Sequence, residues 1–231
     1  MSFLTKICGI TNVSDALMVA DAGADYLGVL VNVECSPRSV NRTIAQQVIA
    51  VSPVPVIMLV FDHPIDQVIE SARLLQPGGV QLAGNENKEY VQKLREKISC
   101  ELWKSIHISV SDDAGVVNND RVIGDIENLS TIGVDKIILD SAIISNNTIQ
   151  RGGTGRCFDW SLAKVVKKHV PEVFLFLAGG ITPDNITEAL SQVSPDGVDL
   201  SSGVEDEVGK KNPALVNQLM KHIRNFEGTP S

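Results

Sequence analysis

A parallel α/β fold closed into an eight-stranded barrel is the architecture this sequence predicts, and three observations predict it. Short apolar runs rich in β-branched residues recur eight times along the 231 residues. Amphipathic segments lie between them, the alternation expected of βα units that build a parallel sheet. No Pro-, Gly- or Ser-rich linker and no shift in composition interrupts the series, so residues 1–231 are expected to form a single domain. A doubly wound open sheet is the competing arrangement, but it usually has about five or six strands. The first turn here, Cys8-Gly9-Ile10-Thr11, also lacks the Gly-x-Gly-x-x-Gly loop of dinucleotide-binding sheets. The (β/α)8, or TIM, barrel fits the count.

The predicted strands are Leu4–Cys8, Tyr26–Val31, Val56–Val60, Gly79–Leu82, Leu102–His107, Lys136–Asp140, Phe174–Ala178 and Val198–Leu200. Helices are expected at Val13–Asp21, Thr43–Ala50, Ile65–Leu74, Lys88–Ile98, Leu162–His169, Asn185–Leu190 and Pro213–Arg224. In the first of these Val13, Ala16, Leu17 and Ala20 recur at the helical period. Thr182-Pro183-Asp184 reads as a cap residue followed by Pro at the first helical position. In Asp113–Ser130, Val116, Val117, Ile123, Ile126 and Leu129 could line a helix, against a Gly and Asn content that disfavours one. Leu215, Leu219 and Ile223 mark the buried side of the last helix, and Trp103 and Phe174 read as core residues.

Composition narrows the function classes. With 43% apolar and 21% charged residues the chain can bury a core. A formal net charge of -8 argues against nucleic acid as a partner, because a phosphate-backbone footprint needs concentrated Lys and Arg. The longest apolar run, Val54 to Phe61, is too short to span a bilayer, so no membrane partner is expected. Met1 to Lys6 shows no charged leader followed by an apolar stretch, which predicts a cytoplasmic protein. Cys8, Cys35, Cys100 and Cys157 have no zinc-ligand spacing, and His63, His107, His169 and His222 include no His-x-x-x-His pair. Neither a metal nor another cofactor is expected.

In such a barrel, chemistry sits at the carboxyl ends of the strands, and phosphate commonly binds the loops after strands seven and eight. Three small-residue loops fall on that face: Gly152-Gly153-Thr154-Gly155 after strand six, Gly179-Gly180 after strand seven, and Ser201-Ser202-Gly203 after strand eight. Glycine lets backbone N–H groups approach an oxyanion closely, so Gly153, Thr154, Gly155, Gly179, Gly180, Ser201, Ser202 and Gly203 form a candidate anion cradle. Cys8 ends strand one and Asp140 ends strand six. Singly, a buried Cys is an inert small hydrophobe and a strand-end Asp is a cap. Together they stand three strands apart around an eight-strand ring, able to approach one ligand from opposite sides. Period-two alternation puts Lys6 on the face of Cys8, where its ammonium would favour the thiolate. One base and one acid beside an anion cradle read as proton transfer on a sugar phosphate.

Seven motifs then occur in order. They are Lys6-Ile7-Cys8-Gly9-Ile10-Thr11, Ser36-Pro37-Arg38, Gln81-Leu82-x-Gly84, Leu139-Asp140, Gly152-Gly153-Thr154-Gly155-x-x-Phe158-Asp159-Trp160, Leu177-Ala178-Gly179-Gly180 and Asp199-x-Ser201-Ser202-Gly203-Val204-Glu205. In these, over essentially its whole length, the chain resembles the phosphoribosylanthranilate isomerases of tryptophan biosynthesis. The resemblance implies a (β/α)8 enzyme without cofactor that performs an Amadori rearrangement of an aminoaldose to an aminoketose. It implies Asp140 as general acid at the ribose ring oxygen and Cys8 as general base at sugar C2. Arg38 would hold the anthranilate carboxylate, and Gln81 would join the substrate-binding residues. The expected partner is a small phosphoribosyl substrate, and the expected state a monomer or homodimer.

The chain departs from the family pattern at Ala83, where His is usual, in Val31–Cys35, which is one residue longer and lacks an aromatic residue, and at Phe61-Asp62-His63-Pro64, where the family more often has Val-Asn. The loop from Ser141 to Arg151 is also longer. These departures gather where the aglycone would lie, with His63 and His107 as candidate replacements for the imidazole. Two alternatives follow from them: a diverged isomerase of another aminosugar phosphate, and a non-catalytic phosphoribosyl-binding protein.

Overall fold

The β-branched runs pair side by side in parallel, and the ring they make is closed. The computed structural model describes residues 3–110, 119–145, 148–151 and 160–228. Its barrel strands are β1 (Leu4–Ile7), β2 (Tyr26–Val31), β3 (Val56–Val60), β4 (Gly79–Leu82), β5 (Glu101–Val110), β6 (Lys136–Ser145), β7 (Leu175–Ala178) and β8 (Gly197–Leu200). Each pairs with its neighbour in chain order, and β1 pairs with both β2 and β8 to close the ring. The helices are α1 (Val13–Asp21), α2 (Arg42–Val51), α3 (Ile65–Leu75), α4 (Lys88–Arg95), α5 (Asn119–Thr131), α6 (Trp160–His169), α7 (Ile186–Val193) and α8 (Pro213–Glu227). Asn12, Asn41, Asn87 and Asn212 cap α1, α2, α4 and α8, each side chain accepting backbone N–H groups of the first turn. Such a cap stabilises a helix by about 1 kcal/mol. No helix among the described residues is long and apolar enough to cross a membrane.

Differences from the sequence reading have local causes. Strand β1 stops at Ile7 rather than Cys8 because Gly9 turns the chain with φ +75°, although the Cys8 N–H still donates to the Leu200 carbonyl at 2.7 Å. The β5 and β6 strands run past their predicted ends together, in register from Trp103 opposite Lys136 to Val110 opposite Ile143. Thr182 does not cap α7: it begins a turn in which Asn185 Oδ1 accepts its N–H, and the helix starts at Ile186. In the ambiguous Asp113–Ser130 segment, α5 buries Ile126, whereas Val116 and Val117 lie outside the described residues. Short paired pieces escaped the periodicity reading, among them Ser39–Val40 on β2 and a hairpin of Glu205–Glu207 with Lys210–Lys211. On α8 the buried positions are Val216, Leu219, Met220 and Ile223, with Leu215 only partly covered.

Inside the ring, alternate strand residues stack in tiers. The lower tier is apolar: Ile57, Trp103, Ile138 and Phe176 pack together, with Tyr26 and Trp103 ring centroids 5.0 Å apart at 72°. Lys136 Nζ sits 5.0 Å from the Trp103 ring and pairs with Glu101. Gly197 makes room for this packing, since a Cβ there would come within 2.6 Å of the Phe176 ring. Above the tier the inward positions turn polar, and there the site begins. Trp103→Ala removes the largest fully buried side chain of the barrel. It should lower unfolding stability by about 3–5 kcal/mol, read as a fall in urea midpoint at constant slope.

Candidate active site

The upper ends of the strands enclose a cavity of about 630 Å³. Cys8 and Asp140 both line it, reaching it from strands separated by β7 and β8. Gln81, Arg38, Gly179 and Gly180 line it too, as do Ser201, Ser202 and Gly203. Gly153, Thr154 and Gly155 lie outside the described residues.

The Cys8 side of the site follows from strand register. Lys6 stands opposite Asp199 in the parallel β1–β8 ladder, so both side chains project to the same inner face. There Lys6 Nζ donates to Asp199 Oδ2 at 2.7 Å, and Lys6 has no exposed surface. Opposite them is Gly28: a Cβ at that position would lie 2.7 Å from Cys8 Sγ and 3.1 Å from Lys6 Nζ. Thiol and ammonium therefore converge on a space that only glycine leaves open. Burial is the largest influence on Lys6 and opposes its charge, but Asp199 and Cys8 together outweigh it and raise the Lys6 pKa. The expected lowering of the Cys8 pKa by Lys6 is corrected in its net result. Lys6 and Lys211 do pull it down, but burial, aided by Asp199, pushes the thiol above its ordinary range. At rest Cys8 is a thiol with an ammonium held beside it.

Arg38 is not an exposed loop arginine. Its side chain is 12% exposed and forms a forked pair with Glu205, Nη2 lying 2.7 Å from Oε2. Burial would raise the Glu205 pKa, but the Arg38 hydrogen bonds and the charge of Lys211 outweigh it and hold this carboxyl below the usual range. Gln81 is buried and donates through Nε2 to Ser105 Oγ at 2.9 Å. Among the candidate imidazoles, His107 lines the cavity and its Nε2 donates to the Ala83 carbonyl at 2.8 Å. His63 is half-buried and donates from Nε2 to the Asn32 carbonyl instead.

The remaining walls divide by polarity. Cys8, Val33, Leu59 and Ala83 form one apolar cluster, with Leu30 and Phe61 packed against it. Facing this are the loops after β7 and β8. Gly179 and Gly180 take φ of +83° and +67°, a left-handed pair that only glycine adopts without strain. Gly203 is required for a different reason, because a Cβ on it would collide with the Ile181 carbonyl. The arrangement offers two glycine-bearing loops, an apolar wall, and a thiol and a carboxyl group that reach one cavity from strands separated by two others.

Sequence reasoning did not single out Asp199, Glu205, Lys211, Ser105 or Gly28. Asp199 and Glu205 stood inside a quoted motif, and the period-two spacing of Asp199 from Ser201 was a usable signal. Lys211 and Gly28 carried none, since their importance lies in which strands are neighbours.

Comparison with known proteins identifies the family and agrees with the fold. The family model for N-(5'phosphoribosyl)anthranilate (PRA) isomerase matches residues 5–222. The N-(5'-phosphoribosyl)anthranilate isomerase of Geotalea uraniireducens (strain Rf4) is 36% identical over 223 residues, covering 96% of this chain and 98% of that one. The crystal structure of phosphoribosyl anthranilate isomerase from Thermotoga maritima superposes with a TM-score of 0.79 at 29% identity, covering 96% of this chain and 99% of that one. A phosphoribosyl anthranilate isomerase in complex with reduced 1-(o-carboxyphenylamino)-1-deoxyribulose 5-phosphate superposes with a TM-score of 0.76 at 26% identity, over the same shares of the two chains. With its closed barrel and a matching model over nearly its full length, the chain belongs to the phosphoribosylanthranilate isomerase family.

Proposed function

We propose that this protein isomerises N-(5'-phosphoribosyl)anthranilate to 1-(2-carboxyphenylamino)-1-deoxyribulose 5-phosphate. The observation that carries this reading is the joint presence of Cys8 and Asp140 on one cavity, with an apolar wall and two glycine-bearing loops. The substrate phosphate would rest on the loops that carry Gly179, Gly180, Ser201, Ser202 and Gly203, joined by Gly153, Thr154 and Gly155. The anthranilate ring would lie along Val33, Leu59 and Ala83, its carboxylate on Arg38 and its neighbouring polar groups within reach of Gln81.

In this reading Asp140 gives a proton to the ribose ring oxygen as the C1–O bond breaks, and the nitrogen lone pair forms the Schiff base. Cys8, as thiolate, then takes the proton from C2, and the resulting enolamine relaxes to the ketone. One proton exchanged with solvent resets the acid and the base, so the step is an isomerisation with no net change in atoms. The Lys6 ammonium beside Cys8 lowers the cost of the thiolate when it forms, while Asp199 keeps that ammonium in place. The apolar wall supports an aromatic aglycone, which favours this reading over an isomerase of a purely aliphatic aminosugar phosphate.

The test is purified protein with freshly made phosphoribosylanthranilate, whose fluorescence should decay; absence of decay excludes the reading. Cys8→Ala and Asp140→Asn should each lower kcat by about 10²–10⁴-fold, whereas a ligand-binding protein would show no turnover to lose. Because the resting thiol lies above its ordinary range, kcat/KM should climb about tenfold per unit from roughly pH 7 to 9. Lys6→Met removes the charge that favours the thiolate and should move this limb to still higher pH. A flat profile would remove Cys8 as the base.

A further inference from the structure

At the strand-two end of the cavity three charged side chains stand in series. Arg38 turns its Nε and Nη2 edge toward Glu205, with Nε 2.9 Å from Oε1 and 3.1 Å from Oε2, and Nη2 2.7 Å from Oε2. Lys211 Nζ donates to Glu205 Oε1 at 2.8 Å and to the Ser201 carbonyl at 3.1 Å. The Glu205 and Lys211 side chains are 4% and 0% exposed. Arg38 lines the cavity and these two do not, so they stand behind it. The series is packed on the turn that carries the thiol. A Cβ on Gly9 would fall 2.7 Å from Arg38 Cδ and 3.5 Å from Lys211 Nζ.

A guanidinium can meet a carboxylate in fork geometry along its side edge, Nε with Nη2, or along its end, Nη1 with the outer N–H of Nη2. Glu205 takes the side edge, leaving the end to meet a ligand. Charge points the same way. Two cations and one anion leave one net positive charge in a buried setting, and one ligand carboxylate balances it. Without the glutamate, Arg38 would lose its forked anchor and face Lys211 as a like charge.

We propose that Glu205, backed by Lys211, is a positioning residue that aims the end of Arg38 at a carboxylate on the substrate's aromatic ring, making the site selective for carboxylated arylamines over bare ones. This rests on the isomerase reading above and adds the source of its aglycone specificity.

The experiment compares Glu205→Gln and Lys211→Met with the unaltered protein by calorimetric titration. The two ligands are reduced 1-(2-carboxyphenylamino)-1-deoxyribulose 5-phosphate and its phenylamino counterpart without the carboxyl group. In both variants the Kd of the carboxylated ligand should rise about tenfold or more, with the carboxyl-free ligand held within about twofold. Retained binding of the latter also reports an intact fold. With phosphoribosylanthranilate, KM should rise more than kcat falls. Equal weakening of both ligands, or no weakening of either, overturns the proposal while leaving the isomerase reading in place. An unaltered protein that neither binds the reduced product nor turns over the substrate overturns both.

Discussion

Lys6 and Asp199 form a salt bridge with almost no access to water, at the seam where the first and last strands of the barrel meet. Two charges taken out of water cost several kcal/mol each, and apolar side chains of the same size would often serve stability as well or better. What the pair supplies is position. The ammonium is locked beside the Cys8 thiol, with the floor of Trp103 and Phe176 below and the cavity above. A lone lysine there would tend to shed its proton under desolvation, and a lone aspartate would tend to hold one. Joined, they present a fixed positive charge to a thiol whose burial otherwise keeps it protonated.

Space in the site is made by subtraction. Gly28 leaves the volume that Cys8 and Lys6 share, Gly9 the volume where Arg38, Ser201 and Lys211 meet, and Gly203 the contact with the Ile181 carbonyl. These glycines serve close approach, and Gly9 also needs its left-handed φ to end the first strand. The two charged assemblies, Lys6 with Asp199 and Arg38 with Glu205 and Lys211, flank one dipeptide, Cys8-Gly9. The wall on the other side is apolar, at Leu30, Val33, Leu59 and Ala83. Polarity is thus graded across the cavity.

Of the positions where this chain departs from the family pattern it resembles, Val33, Phe61 and Ala83 lie on the apolar side. Ala83 joins the apolar cluster, and the imidazole of His107, from the neighbouring strand, bonds to its carbonyl and lines the same cavity. His63, half-buried, bonds to the Asn32 carbonyl and does not line the cavity. Both histidines were visible in the sequence as candidates, but which of them lined the cavity depended on strand register. The register of β5 with β6 carries His107 to the level of Asp140.

Much of the architecture was legible because period-two and helical spacings are local. Tyr26–Val31, Val56–Val60, Gly79–Leu82 and Val13–Asp21 can be read at their true bounds from residue type alone. The strand-end rule for barrels also located Cys8, Asp140 and the loops after β7 and β8, whereas Arg38 and Gln81 came from the resemblance of Ser36-Pro37-Arg38 and Gln81-Leu82-x-Gly84 to the family's motifs. Tertiary structure alone decided their partners. Lys6 meets Asp199 across 193 positions of sequence, and Arg38 meets Glu205 across 167. Ring closure and strand register set those encounters, and no short-range pattern encodes them. The direction of the Cys8 pKa belongs to the same class, because it balances the loss of water against charges brought close only when the first strand closes on the last.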